Sequence, residues 1–579
     1  MQSPKKIFFI LILAINAFLP AASQDIIEFE VHFTQHNVEL KEKIKYNNSL
    51  LLPGEAKTEL ESIYRQMHDL GFLETALDSC QYDSLLIRCV LIPGNRFRYY
   101  ITPGRVSEEV LTLLSNDKYF KPYGITPGEY EMLIKEILGF YENRGYPFAS
   151  ARLDSPVIEG DSILGTLFID HSYYIVFDTL NVKGNVNISP RFLAMHTGVK
   201  PGKSYSEDVL NNLESRLRSL DFVEITNDPQ VVFTNTHAKV EVGLKQKGAN
   251  RFDGIAGVVY EEAAENALRL TGQLNLFLTN ILERGEWMDL KWQGLGHGTQ
   301  SLDISAAYPY LFYTPFSAEM QFMMRKQDST YLHIKRVPAL GYRFQSNIRA
   351  NIFVDWRTSE LLDVSRYEDA ARLPDFIDYK TIFYGVGASY RSDLFNIEPR
   401  EGFNYKVQFA AGSRNIRKNI NLPDHLYEDI KLNTTQYTGT TTLQRIFPLM
   451  DRSAVLLKGE GGIIIGDDIF DNELFRVGGL HSLRGFDEES IIASAYVYFL
   501  AEYRYVTGPN TFLSLFANGG FIERKTARYY NDWPFGAGAG ISQETPAGIL
   551  SLFFALGKRQ DEQLNFNDIK VHVGFVSTF

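Results

Sequence analysis

From Arg251 to Phe579 the apolar residues recur with a period of two, and no helical period remains. That pattern constrains the fold more than any other feature of the chain. Successive side chains of a strand point to opposite faces, so alternation gives each strand one apolar and one polar face. Sixteen such stretches begin near Arg251, Leu268, Gly285, Ser301, Ser317, Leu332, Asn347, Thr381, Phe403, Thr435, Ser453, Ala493, Thr511, Phe535, Ile549 and Lys570. In the last, Val571, Val573, Phe575 and Phe579 share one face, and Lys570, His572, Gly574 and Thr578 the other. In the third, Met288, Leu290 and Trp292 oppose Asp289, Lys291 and Gln293. A soluble sandwich or propeller is the competing arrangement. A wall between lipid and a wet lumen accounts better for charged faces backed by lipid-compatible ones.

About ten residues cross a bilayer when the strand is tilted. An even number of antiparallel strands closes a barrel and leaves no edge. The expectation is a 16-stranded antiparallel transmembrane β-barrel over 248–579. A mean hydropathy of −0.17 suits it, because half of each strand faces water. So do 41 Phe, 32 Tyr and 4 Trp, the material of aromatic girdles at two membrane interfaces.

The N-terminus reads as a secretory signal peptide over 1–23. Lys5 and Lys6 precede an apolar run from Ile7 to Leu19 broken only by Asn16, and Ala21 and Ser23 take the small-residue positions. No Cys follows that run, so no lipoprotein anchor is expected. After residue 24 no apolar run is long enough for a spanning helix.

Between leader and barrel the chain repeats. Pro53-Gly54, Pro127-Gly128 and Pro201-Gly202 recur at equal spacing, and each opens a helical pattern. Leu60, Ile63, Tyr64 and Met67 line the first helix face. Leu133, Ile134, Ile137, Leu138 and Tyr141 line the second, and Val209, Leu210, Leu213, Leu217 and Leu220 the third. Strand-like stretches follow each helix. Units of mixed α and β are expected at 24–97, 98–172 and 173–247. In the first, Cys80 and Cys89 flank a tight turn near Ser84, which sets them opposite each other on two short strands. They form either a disulfide or two reduced, buried thiols.

The third unit resembles a POTRA domain in its Val182-Lys183-Gly184-Asn185 strand end, its Gly198 turn and its Tyr205 entry. The second has a related form, and the first is assigned by period. Between the eleventh and twelfth strands lies FRVGGLHSLRGFDEES, with the triplet Arg484-Gly485-Phe486. It resembles the loop-six signature of the BamA/TamA superfamily of POTRA-plus-barrel outer-membrane assembly proteins. RFDGIAGV, FGAGAGISQETPAGILSLFFALGK and VGFVSTF are similar to that superfamily as well. The layout is nearest to TamA-like members.

The resemblance implies that loop six folds into the lumen and that its Arg meets an inward acid. Alternation supplies one: Tyr498, Leu500, Glu502 and Arg504 share a face, opposite Val497, Phe499, Ala501 and Tyr503. Asn518 stands where the family usually carries Asp; an amide can still accept from Arg but brings no charge. The resemblance also implies a weak seam between first and last strands, marked by Gly254, Val573, Gly574 and Phe579. Clients would be unfolded outer-membrane or secreted proteins, captured by POTRA domains in the periplasm and inserted at the seam in the outer-membrane bilayer. Accessory lipoproteins or an inner-membrane partner would be compatible with this. The alternative is a two-partner secretion-type protein translocation pore; a porin or adhesin-like barrel would not need the repeats.

Gly536, Gly538 and Gly540 precede no helix, so they are not a nucleotide loop. They suit a strand approached closely by other backbone. With no HExxH, GxSxG or paired CxxC, the expectation is no enzyme, no metal and no cofactor. A net charge of −12 argues against nucleic acid as a partner.

Overall fold

The computed structural model describes residues 27–578, other than 35–37, 51, 53, 84, 115, 262–266, 297, 345–346, 368–371, 393–400, 509, 546–547, 561 and 563–567. The signal-peptide reading and Phe579 lie outside the described residues. The described residues form two compact units: those up to Val176 with Ser204–Glu207, and Phe177–Lys203 with those from Asp208 onward.

Three small α/β modules resembling POTRA domains come first. In each, the second strand of a hairpin takes the middle of the sheet, between its hairpin mate and the module's first strand. In the first module Ile27–Phe33 runs parallel to Leu86–Ile92, which pairs antiparallel with Ala76–Tyr82. Helix Glu55–Leu70 covers that sheet with Leu60, Ile63 and Met67 buried, the face its spacing predicts. Cys80 and Cys89 are cross-strand partners joined by a disulfide. In the second module helix Pro127–Glu142 starts on a capping box, in which Thr126 and Glu129 satisfy each other's backbone N–H. Leu133 and Ile137 are buried beneath it.

The third module departs from the predicted repeat. Pro201-Gly202 opens no helix there. The chain turns at that pair so that Ser204 can bridge to Val176, and the helices begin later, at Glu207–Asn211 and Leu213–Arg218. Leu213, Leu217 and Leu220 are buried, whereas Val209 and Leu210 are only half-buried.

Sixteen antiparallel strands then close a barrel, from Arg251–Glu261 to Lys570–Thr578, with a short extra strand, Tyr530–Asp532, beside the thirteenth. The strands begin at or within two residues of the expected positions. The twelfth, Ala495–Gly508, shows how alternation fixes the wall. Tyr498, Leu500, Glu502 and Arg504 are buried toward the lumen, while Val497, Phe499, Ala501 and Tyr503 are exposed outside.

The third module is held against the barrel through two turns. Between strands two and three, Asn280 donates to the Asn187 carbonyl at 2.8 Å, and the Ser189 N–H donates to the Glu283 carbonyl at 2.7 Å. Between strands four and five, Tyr310 hydroxyl lies 3.1 Å from Nδ1 of His196, whose Nε2 donates to the Arg216 carbonyl at 2.7 Å. Both His196 nitrogens are therefore used in the neutral tautomer. Burial, with Arg343 and Arg216 nearby, pushes its pKa down to about 3.

Candidate functional site: loop six and the seam

Loop six, residues 466–494, joins strand eleven (Ser453–Ile465) to strand twelve and runs through the lumen. Phe475–Val477 pairs with Ile491–Ala493, so the loop folds back as a narrow hairpin with the Arg484-Gly485-Phe486 triplet near its tip. Val477, Leu483, Phe486 and Ile491 pack with Tyr498 and Ile522 of the wall. That apolar contact stiffens the hairpin so its charged groups arrive in fixed places.

Arg484 Nη1 donates to Glu502 Oε2 at 2.7 Å, and Nε donates to the Leu480 carbonyl at 3.1 Å. The guanidinium lies over the Phe516 and Phe553 rings, 4.7 and 4.5 Å from their centroids. Glu502 is fully buried and also accepts from Arg504 Nε at 2.8 Å. A buried carboxylate is retained only when such donors satisfy it. Asn518 does not accept from the guanidinium. Its amide nitrogen donates to the backbone carbonyls of Arg484 at 3.2 Å and Gly536 at 3.3 Å. An Asp there could not make those bonds, because its ionised carboxylate only accepts.

Glycines make room for the tip. Gly485 has φ +98°, a conformation open chiefly to glycine, and its N–H donates to His572 Nε2 at 3.4 Å. A Cβ on Gly536 would stand 2.1 Å from the Arg484 oxygen, and one on Gly557 would stand 2.3 Å from the Gly485 oxygen. The strand glycines thus serve a close backbone approach, as their setting in a strand suggests.

Further anchors were not singled out in the sequence. Glu473 takes Arg414 Nη1 at 2.9 Å and Gln436 Nε2 at 2.7 Å, all three buried. Asn472 donates to Ser359 Oγ at 2.9 Å and to the Ile377 carbonyl at 2.8 Å. Asp471 pairs with Arg524, Glu489 with Arg325, and Arg476 donates to the Tyr331 hydroxyl at 2.7 Å. The acidic run Asp471-Asn472-Glu473 was the available signal, since a loop rich in acids can cross a lumen only where the wall supplies cations.

The seam differs from every other ladder. Strand one pairs with strand two from Arg251 to Glu261. Among the described residues it meets strand sixteen only at Arg251↔Thr578 and Phe252↔Ser577, the end nearest the third module. Gly254 and Val573 are not opposed. Gly254 pairs with Leu274, while Val573 and Gly574 pair with Leu552 and Ser551 of strand fifteen. The Phe252↔Ser577 register points Gly254 at Phe575 rather than at Val573.

A family model for the Omp85 superfamily domain matches residues 280–575. CdiB from Acinetobacter baumannii superposes with a TM-score of 0.54 at 12% identity, over 83% of this chain and 89% of that one. CdiB from Escherichia coli gives 0.52 at 14% identity, over 92% and 100%. BamA from Haemophilus ducreyi lacking POTRA domains 1–3 gives 0.43 at 17% identity, over 83% and 100%. No curated protein matches by sequence.

Proposed function

The chain belongs to the Omp85 superfamily, and from that premise we propose that it is an outer-membrane factor that inserts client proteins at its seam. The observation carrying this is the two-pair junction between strands one and sixteen. In a bilayer every backbone donor and acceptor must be paired. Toward the loop-six end, Gly254–Glu261 and Lys570–Val576 are not paired with each other, so that end of the seam separates at little further cost. An extended client segment can add there as a strand, exchanging water for backbone partners without crossing lipid unpaired. The modules, in the periplasm, hold clients on open sheet edges such as Ser150–Glu159, whose Val157 and Ile158 are exposed. This work needs no reaction centre and no cofactor.

Loop six favours the seam over the lumen as the route. A lumen path for one exported partner, the second reading, first requires the Arg484–Glu502 and Arg414–Glu473 pairs to break. The test is a seam locked by Phe252→Cys with Ser577→Cys, a pair in register. Under oxidation, outer-membrane proteomics should show many barrel proteins depleted, with recovery on reduction. Unchanged outer-membrane content under oxidation refutes insertion at the seam, and loss of a single exported protein supports the secretion reading.

A further inference from the structure

The outer wall of a barrel is expected to be apolar through the bilayer, yet strands six to eight carry two cations there. These strands are Tyr331–Arg343, Ile348–Leu361 and Tyr379–Arg391. Their outward positions are marked by exposed apolar side chains: Leu340 at 39%, Ile352 at 59% and Tyr384 at 68%. The alternate positions Thr381 and Phe383 are buried toward the lumen. Arg336 has the parity of Leu340, Trp356 that of Ile352, and Lys380 that of Tyr384, so all three face outward.

They form one cluster. Arg336 is the register partner of Trp356, and Lys380 pairs with Thr358 next to it. The Arg336 guanidinium lies 5.6 Å from the Trp356 ring centroid, and the Lys380 ammonium lies 4.9 Å from it. Among the described residues no carboxylate comes within ion-pair distance of either cation. Charges on the lipid face are destabilising, increasingly so with depth. Two such cations packed on one ring concentrate positive charge there, and the nearest outward carboxylate on strand seven, Glu360, is paired with Arg417.

Next to the cluster, on its third-module side, the wall is hollow. A groove of about 970 Å³ is lined by Leu340, Ile352, Tyr384, Phe409, Tyr437 and Gly439, among others. Gly439 lets the Phe409 ring pack flat against strand ten, since a Cβ there would sit only 3.2 Å from that ring. The volume lies within the range of ordinary ligand sites, about 300–1,000 Å³. Apolar lining alone names no occupant. Here the charge above it does: the occupant joins an anionic head to an apolar tail, with the head on the loop-six side. Arg and Lys both bind phosphate oxygens, and Trp anchors at the membrane interface.

We propose that strands six to eight form a binding site for a phosphate-bearing lipid. Its phosphate lies between Arg336 and Lys380 above Trp356, and its acyl chains fill the groove beneath. The site is on the opposite part of the wall from the seam and does not depend on how clients are inserted.

The test uses the full chain in phosphatidylcholine nanodiscs, with spin-labelled phosphatidylglycerol or spin-labelled phosphatidylcholine as probes. Electron paramagnetic resonance reads the motionally restricted fraction of each. The wild type should prefer the anionic probe at least threefold, and Arg336→Gln with Lys380→Gln should abolish that preference. Gly439→Leu displaces the Phe409 ring that lines the groove, alters no charge, and should lower the preference by half or more. Arg445→Gln removes an outward cation near the opposite end of the wall and should leave it intact. Heat-dependent migration on gels confirms that each variant is folded. No preference in the wild type overturns the proposal, as does preference surviving in the double variant or an equal loss in Arg445→Gln. Abolition by inorganic phosphate, but not by sodium chloride of equal ionic strength, would mark a simple anion site and overturn the lipid assignment.

Discussion

Replacing Glu502 by Gln tests the lock at its centre. The substitution keeps the size of the side chain and removes its charge. Arg484, only 8% exposed, then retains the Leu480 carbonyl and two aromatic rings but loses its carboxylate. Breaking a buried ion pair costs about 3–5 kcal/mol. The Gln oxygen can still accept one bond, so the low end applies, about 3 kcal/mol. At about 1.4 kcal/mol per decade that is roughly a hundredfold in local opening. Hydrogen exchange followed by mass spectrometry reads it directly. The amides of Gly479, Ser482 and Gly485, which bond within the tip or to His572, should exchange about a hundredfold faster. Those of Glu473 and Leu474, in the segment held by Arg414 and Arg524, should keep their wild-type rates. Unchanged exchange at the tip would refute the claim that the pair holds the loop. Equal acceleration of both segments would refute the claim that the anchors act locally.

Gly557→Ala should lift the triplet from the wall, because its Cβ would meet the Gly485 oxygen at 2.3 Å; a cost of about 1–3 kcal/mol should appear as protease cleavage near Arg484, with Gly254→Ala unaffected. Asn518→Asp restores the acid that is usual in the family but removes the donor to two carbonyls. It should loosen the tip by about 1–3 kcal/mol in the same exchange assay, whereas a tighter tip would show that the amide's bonds contribute nothing. For His196 the folded pKa is depressed to about 3, so the unfolded state binds the extra proton. Its contribution is complete above the unfolded value near 6.5 and is lost as pH falls from there toward 3. Between pH 6.5 and 4.5 denaturant unfolding of the wild type should lose about 2.5 kcal/mol more than His196→Gln; parallel profiles would refute this.

Alternation revealed the strands and the inward place of Glu502, because parity decides which face a residue occupies. It could not fix the seam. Shifting one strand by two residues preserves every face, so parity alone cannot say whether Gly254 faces Phe575, as the observed register has it, or Val573. The family resemblance singled out Asn518 without telling which loop atom it would meet, and that atom is a carbonyl rather than the guanidinium. Arg414 and Glu473 lie 59 residues apart. Their pairing depends on where the loop crosses the lumen, which no local pattern encodes. The third helix began late for a similar reason: the Ser204–Val176 bridge claims the residues after Pro201-Gly202 for a turn.

The anchors also divide the wall mechanically. Loop six bonds to strand five through Arg325, to strand nine through Arg414, to strand twelve through Glu502 and to strand sixteen through His572. Among the described residues none of its hydrogen bonds or ion pairs reaches strands one to four. Those strands are gripped from the other side, where the third module holds the turn between strands two and three and the turn between strands four and five. One brace therefore reaches strands five to sixteen, and the other grips the turns that join strands two to three and four to five. The boundaries between the two blocks are the strand four–five hairpin, which is fully laddered, and the two-pair seam. A hinge needs one edge that stays joined and one that parts. For the seam opening proposed above, a swing of strands one to four about that hairpin would leave every loop-six anchor in place.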